Sequence, residues 1–201
     1  MMIKDHFEHK ASDYENNNSV KKNVNKIAET ILNEISFNKE MRIMDFGSGT
    51  GFLLEGIAPF VKEITAIDVS KSMSEQLAKK KNKIACKLVI ANIDLTTAKL
   101  YDKFDVIISS MTLHHIEEVK CIMQTLYDLL VDGGSIALAD LDKEKGDFHT
   151  SDKGVFHLGF ERDYIIKMAK EVGFKELKIQ TASKIEKTHG QFDVFLLTGK
   201  K

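Results

Sequence analysis

The stretch MRIMDFGSGTGFL, residues 41–53, decides how the rest of the chain is read. Met41–Phe46 is a short apolar run of the kind that forms a strand covered on both faces. It contains Asp45 and leads into Gly47-Ser48-Gly49-Thr50-Gly51. The next residues, Gly51–Ala58 (GFLLEGIA), are spaced as a helix up to Pro59, the only proline. Glycines at a strand-to-helix turn permit positive φ and let a ligand approach the backbone closely. The helix behind them offers unpaired N–H groups. Asp68 ends the next apolar run, Glu63–Asp68 (EITAID), twenty-one residues after Gly47. A carboxylate at that place accepts both hydroxyls of a ribose.

The glycine spacing separates two ligand classes. A dinucleotide site uses G-x-G-x-x-G, with a helix N-terminus facing a pyrophosphate. Here the spacing is G-x-G-x-G with Asp45 two residues ahead. An acid so close repels a pyrophosphate and suits a nucleoside with a cationic amino-acid tail. A nucleotide-dependent oxidoreductase is therefore disfavoured.

Outward from this stretch, strand and helix patterns alternate. Ala85–Ala91, Phe104–Ser110 and Ser135–Asp140 are further apolar runs. Helical patterns cover Ser70–Lys80, with Ser70 as N-cap, Glu118–Leu130, stopped by Gly133-Gly134, and Glu161–Val172, stopped by Gly173. Such repetition implies crossovers and a parallel sheet. Lys175–Thr181 and Phe192–Thr198 have no helix between them, only a polar loop of about ten residues, so they are expected to pair antiparallel. Ahead of the sheet, Val20–Ile35 has helical spacing, and Asp13–Asn18 reads as a loop. The chain thus reads as one domain: a cap (1–36), a cofactor-binding core (37–140), a lid loop (141–160) and a C-terminal helix with a strand pair (161–201).

Composition bounds the function. The 201 residues are 43% hydrophobic and 29% charged, with a net charge of -1. That is the composition of an ordinary globular domain. Without a basic excess, nucleic acid is disfavoured as a partner. No apolar run is long enough to span a membrane. Met1–Lys10 lacks the apolar core of a secretion signal. The expected compartment is cytoplasmic, with Cys86 and Cys121 as reduced core thiols.

In order, MRIMDFGSGTGFL (41–53), ITAIDVS (64–70), VIANIDL (89–95), KFDVIISSMTLHHI (103–116) and LLVDGGSIALAD (129–140) resemble the motifs of class I S-adenosylmethionine-dependent methyltransferases, in particular the small UbiE-like or type 11 group. The resemblance implies an α/β fold: a doubly wound, mostly parallel, seven-stranded Rossmann-like sheet with an antiparallel last strand and an N-terminal helical cap. It implies S-adenosylmethionine as cofactor and S-adenosylhomocysteine as product. By the same resemblance, Asp45, Gly47, Ser48, Gly49 and Gly51 cradle the methionine part. Asp68 holds the ribose and Val69 packs on the adenine. Asn92 and Ile93 lie near the adenine amino group, with Asp94 as a competitor for that place. Ser110 and Met111 flank the cofactor. The segment from Phe7 through Ala11 to Tyr14 resembles an opening that folds over the cofactor, which makes Tyr14 a lid contact.

Methyl transfer from a sulfonium requires alignment and exclusion of water; a base is needed only for a nucleophile that must lose a proton. The candidates for that work are His114 and His115, after the fourth strand, and His149 and His157, in the lid. Asp140 and Asp142 are candidates to orient one of them. None of these histidines has a local metal-ligand spacing, so no metal is expected. The family's amino-methylating enzymes carry an N/D-P-P-Y/W stretch after the fourth strand, which this chain lacks. A small-molecule acceptor is expected, handled by a monomer or homodimer. The alternatives are a tRNA or protein methyltransferase working with a partner, and a non-catalytic cofactor-binding protein.

Overall fold

The computed structural model describes residues 14–149 and 154–201. The cap helix α1 (Asn18–Glu34) begins at Asn17, whose side chain accepts from the N–H groups of Ser19 and Val20. Residues 14 and 15 are already helical, so the expected loop across Asp13–Asn18 shrinks to the cap at Asn17. His6 and His9, and the Phe7 and Ala11 of the opening motif, lie outside the described residues.

The core follows as β1 (Arg42–Phe46), α2 (Phe52–Ile57), β2 (Glu63–Ile67), α3 (Lys71–Lys80), β3 (Lys87–Ala91), β4 (Phe104–Ser110), α4 (Val119–Leu129), β5 (Leu130–Leu141), α5 (Arg162–Val172), β6 (Lys175–Lys187) and β7 (Gly190–Lys200). The seven strands form one sheet in the order β3-β2-β1-β4-β5-β7-β6. Pairings among β1 to β5 are parallel, and β7 runs antiparallel to both β5 and β6. The fold is the doubly wound, Rossmann-like α/β sheet with an antiparallel last strand.

Period-two alternation in the strands builds two cores. Ile43, Ile64, Ala66, Val106, Ile108, Ala137 and Leu196 face α1, α2 and α3. Met44, Ile67, Ile107, Ile136, Leu138 and Leu197 face α4 and α5. Both faces of the sheet are covered, which is why these strands read as continuous apolar runs.

The structure bears out one local expectation and corrects three. The α-helix α2 ends at Ile57, ahead of Pro59, and Ala58–Phe60 follows as a short 3-10 turn with Pro59 near its start. A proline there forfeits only an N–H that has no partner. Gly133-Gly134 does not stop α4, which ends at Leu129; the chain enters β5 at Leu130, and the register of β5 against β4 shifts between Phe104 and Val106. The two glycines lie within that irregular stretch, where a bulge is tolerated. The ten-residue loop between the last strands is absent. Strands β6 and β7 pair as far as Lys187 with Gly190, leaving a tight turn at Thr188-His189. β6 is an edge strand with alternating exposure, so its polar half reads as a loop in sequence. Finally, the cysteines are free but not core residues: Cys86 is half-buried and Cys121 is exposed on α4.

Strand order reverses between β1 and β4. A crevice at such a switch point, beyond the C-terminal ends of the strands, is where open α/β sheets bind ligands.

Candidate active site

Three chain segments meet at that crevice. The turn after β1 is held to β2, with the N–H groups of Gly47 and Ser48 donating to the Ile67 carbonyl at 2.8 and 3.0 Å. Asp68 then ties the glycine turn to α3: its Oδ2 accepts from Gly49 N–H and its Oδ1 from Ser70 N–H, both at 2.7 Å. Gly47 takes φ +71°, and a Cβ there would fall 2.2 Å from Thr112 Oγ1, so the turn is packed against the segment after β4. Gly49 takes φ +52°, and a Cβ there would meet nothing within 4 Å. Its missing side chain opens space rather than filling a contact.

A cavity of about 570 Å³ lies over this turn. That is the size range of sites for small organic ligands. Gly47, Gly49, Asp68, Val69, Ile93, Asp94, Ser110 and Met111 wall one lobe. Met111 takes φ +58°, a backbone conformation that is strained for a bulky side chain and is found where a site requires it. Asn17, Val20, Asn23 and Val24 of the cap, with Tyr14, roof it. Tyr14 stacks on Phe52, and Lys80 pins the cap by binding both Glu15 and Glu55. Burial, then the charges of Asp68 and Asp45, pushes the Tyr14 phenol up to about 12.

The same cavity continues into a second lobe walled by His114, His115, Phe148, His149, Ile185, Glu186 and Lys187. His114 sits in a 3-10 turn, Leu113–His115, that follows β4. Pairing of Ser110 with Ala139 brings that turn beside the end of β5. There Asp140 takes His114 by two atoms: backbone N–H to Oδ2 at 3.2 Å, and ring Nδ1 to Oδ1 at 2.6 Å. The Leu141 N–H donates to Oδ1 as well. Burial alone would raise the Asp140 carboxyl, but its interaction with His114 and the two N–H donors hold it below the ordinary range. Asp140 is therefore ionised and accepts, and Nδ1 of His114 donates.

Two more imidazoles stack around His114, His115 at 4.1 Å and His149 at 5.0 Å between ring centres. Burial, then the neighbouring His114, pushes His115 down to about 4, and burial, His114 and Lys187 do the same to His149. Both are neutral at physiological pH. His115 Nδ1 donates to the Gly154 carbonyl at 2.6 Å. Lys187 closes the lobe from β6, donating to the Phe148 carbonyl and lying over the Phe148 ring.

The structure brings together eight of the twelve cofactor candidates: Tyr14, Gly47, Gly49, Asp68, Val69, Ile93, Ser110 and Met111 line the cavity. The other four do not reach its wall. Gly51 packs on Leu77, and Ser48 is buried beneath the turn. The Asn92 amide donates to the Asp68 carbonyl at 2.8 Å and so fixes the backbone at Asp68. Asp45 is fully buried, and both its carboxylate oxygens lack a hydrogen-bond partner among the described residues. Burial, then Asp68, pushes its carboxyl up to about 8.

Of the histidines, His114, His115 and His149 line the cavity. His157 does not, because its Nε2 is turned onto the Ile116 and Glu117 carbonyls at 2.9 and 3.2 Å. Asp142 orients no histidine; it pairs with Arg162. Among the described residues no group of three or more His, Cys, Asp and Glu side chains is arranged to hold a metal ion. Asn23, Phe148, Glu186 and Lys187 are cavity residues that the motifs do not reveal. Asn23 shares a helix face with Val20 and Val24, a signal available in sequence; Lys187 carries none, since only the hairpin brings it here.

The model of a family described as a methyltransferase domain matches residues 14–179. The chain belongs to that family. The UbiE-like resemblance is consistent with it, and S-adenosylmethionine is the cofactor that goes with the family. A methyltransferase of Schizosaccharomyces pombe, itself uncharacterized, is 32% identical to this methyltransferase domain over 129 residues, covering 60% of this chain and 45% of that protein. A malonyl-(acyl-carrier protein) O-methyltransferase of Priestia megaterium is 29% identical over 140 residues, covering 67% and 49%. The chain thus spans about half the length of these curated relatives. In fold, it is similar to the crystal structure of magnesium protoporphyrin IX methyltransferase from Synechocystis with bound S-adenosylhomocysteine, at TM-score 0.72 and 15% identity, with 98% of this chain and 97% of that one covered.

The residues present fit this cofactor. Asp45 is a buried carboxyl group with no hydrogen-bond partner among the described residues, kept protonated near neutral pH by burial and by Asp68, and a cationic ligand close by would favour its ionised form. The Ser110 hydroxyl and the Asn23 carbonyl oxygen, both on cavity residues, are buried with no partner among the described residues. Such atoms call for a polar ligand.

Proposed function

We propose that this domain binds S-adenosylmethionine in the lobe over the glycine turn and transfers its methyl group to a small-molecule acceptor held in the histidine lobe, releasing S-adenosylhomocysteine. The observation that carries the proposal is the continuity of one cavity from Gly49 and Asp68 to His114 and His149. The near-neutral charge supports a small acceptor over a nucleic acid.

When bound, the cofactor supplies an electrophilic methyl on a sulfonium with a neutral leaving group. The protein's share is placement and exclusion of water. Asp68 accepts from the ribose hydroxyls while Gly49 and Ser70 hold its carboxylate in place. Val69 and Ile93 offer apolar surface to the base. Asp68 places negative charge at the first lobe, and a bound cation would favour the ionised form of Asp45 beneath it. Residues 1–36 act as the cap, through Tyr14, and 141–160 as the lid, through Phe148 and His149. No helix among the described residues is long and apolar enough to cross a membrane, which fits a cytoplasmic enzyme acting as a monomer or homodimer.

The test is transfer of label from methyl-labelled S-adenosylmethionine into a metabolite extract. Label in a small molecule, with an equal amount of S-adenosylhomocysteine, is expected. Label confined to the tRNA or protein fraction would favour a partner-assisted macromolecular enzyme. Binding without transfer would favour a non-catalytic cofactor-binding protein.

A further inference from the structure

We propose that Asp140 is a positioning residue that holds His114 as the proton acceptor of the acceptor lobe, and that the molecule methylated there presents a protic nucleophile, an O–H or N–H group. This rests on the methyltransferase reading above.

The geometry is specific. Asp140 and His114 are both essentially inaccessible, at 0% and 1% exposure, yet His114 is a wall residue of the cavity. With Nδ1 donating to the Asp140 carboxylate at 2.6 Å, the ring is fixed in orientation and tautomer. The nitrogen left for the cavity is Nε2, and in that tautomer it carries a lone pair. A buried carboxylate fully engaged by one imidazole and two backbone N–H groups has no evident structural need for the histidine, since packing alone would favour an apolar pair. The same carboxylate balances the positive charge that His114 gains on taking a proton.

The surroundings single out His114 among the imidazoles. The groups that face it are Asp140 from β5, His115 from its own turn and His149 from the lid, with Lys187 from β6 and Glu144 from the lid loop acting on His149. Asp140 binds the ring of His114, whereas His115 and His149 are held near 4 and are poor proton acceptors at neutral pH. His149 Nε2 is buried with no partner among the described residues, which leaves it for the acceptor to hydrogen-bond.

The step balances. The oxygen or nitrogen of the acceptor forms a bond to the methyl carbon, and the carbon–sulfur bond breaks with its electron pair going to sulfur. The sulfonium charge is thereby cancelled. The acceptor's proton passes to His114 Nε2 and leaves later to solvent. An aprotic nucleophile, such as a thioether or a tertiary amine, would make this arrangement idle.

The experiment uses the full chain and the acceptor labelled from the extract. Asp140→Asn and His114→Gln are compared with the parent for kcat, KM and their pH dependence. Circular dichroism melts and calorimetric titration of S-adenosylhomocysteine show whether each variant folds and binds. We expect kcat to fall about 10²- to 10⁴-fold in both variants. KM and product affinity should stay within about threefold, and the residual rate should rise with hydroxide where the parent profile levels off. A purely structural pair would lower the melting temperature and leave the pH profile in place. The ring tautomer, read from imidazole ¹⁵N shifts of the parent protein, decides the positioning role even if both variants unfold. Nε2–H on His114, an unchanged kcat profile in Asp140→Asn, or an aprotic acceptor overturns the inference alone. No methyl transfer by the parent to any component overturns the methyltransferase reading and this inference with it.

Discussion

Asp45 and Asp68, at the ends of the neighbouring strands β1 and β2, are opposites in how they are satisfied. Asp68 accepts one backbone N–H at each carboxylate oxygen, whereas Asp45 accepts none among the described residues. The fold has placed an unpaired buried acid next to a paired one, and the first consequence is a dependence on pH.

The Asp45 carboxyl is raised to about 8 in the folded chain, against roughly 3.9 for a free aspartate. Between those values the folded state binds a proton that the unfolded state does not. Stability without ligand is therefore greatest below the unfolded value and falls as pH rises through about 8, by on the order of 1.4 kcal/mol per pH unit where the difference is full. Asp45→Asn should flatten this slope and raise the melting temperature at pH 8.5, while weakening S-adenosylhomocysteine binding. Melts at pH 6 and 8.5, with calorimetry at pH 8.5, check both parts. An unchanged slope would show that Asp45 is ionised and partnered in solution.

Gly47 and Gly49 should respond to the same substitution in different ways. Gly47→Ala drives a Cβ into Thr112 at a positive φ, so we expect a stability loss of about 3 kcal/mol from overpacking and strain together. Gly49→Ala carries only the backbone strain, about 1–2 kcal/mol. Its methyl group points into the open space of the glycine turn, and product affinity should fall at least about tenfold. Melting curves and calorimetry on the two variants separate these effects.

His157 is a candidate site residue in sequence, but it does not line the cavity. Its imidazole is turned onto the Ile116 and Glu117 carbonyls and packs on Phe160. His157→Ala should cost about 1 kcal/mol of stability. Its kcat at 25 °C should stay within about twofold of the parent, measured with the acceptor labelled from the extract.

The contrast between His157 and His114 marks what sequence could and could not reveal. The glycine turn, Asp68, Val69 and Met111 were legible because they are local: a strand end, a turn and a helix start lie within a few residues of each other. Their places at the cavity follow from backbone geometry that the residue types enforce. The histidine lobe is assembled over long range. His114 meets Asp140 through the register of β4 on β5, and meets His149 through the path of the chain after β5. Adjacent letters could not say which of His114 and His115 takes the carboxylate. Lys187 was lost because the edge strand β6 alternates polar and apolar residues and reads as a loop. The bond from the Asn92 amide to the Asp68 carbonyl was not legible, because an amide can donate as readily as it accepts.

The account rests on one ligand occupying one lobe, and calorimetric titration tests that most directly. S-Adenosylhomocysteine should bind the parent chain at a single site. Asp68→Ala should weaken it by on the order of a hundredfold, about 3 kcal/mol for the lost ribose hydrogen bonds and the loosened turn. NAD should give no heat of binding. Saturable NAD binding with no response to S-adenosylhomocysteine would contradict the account.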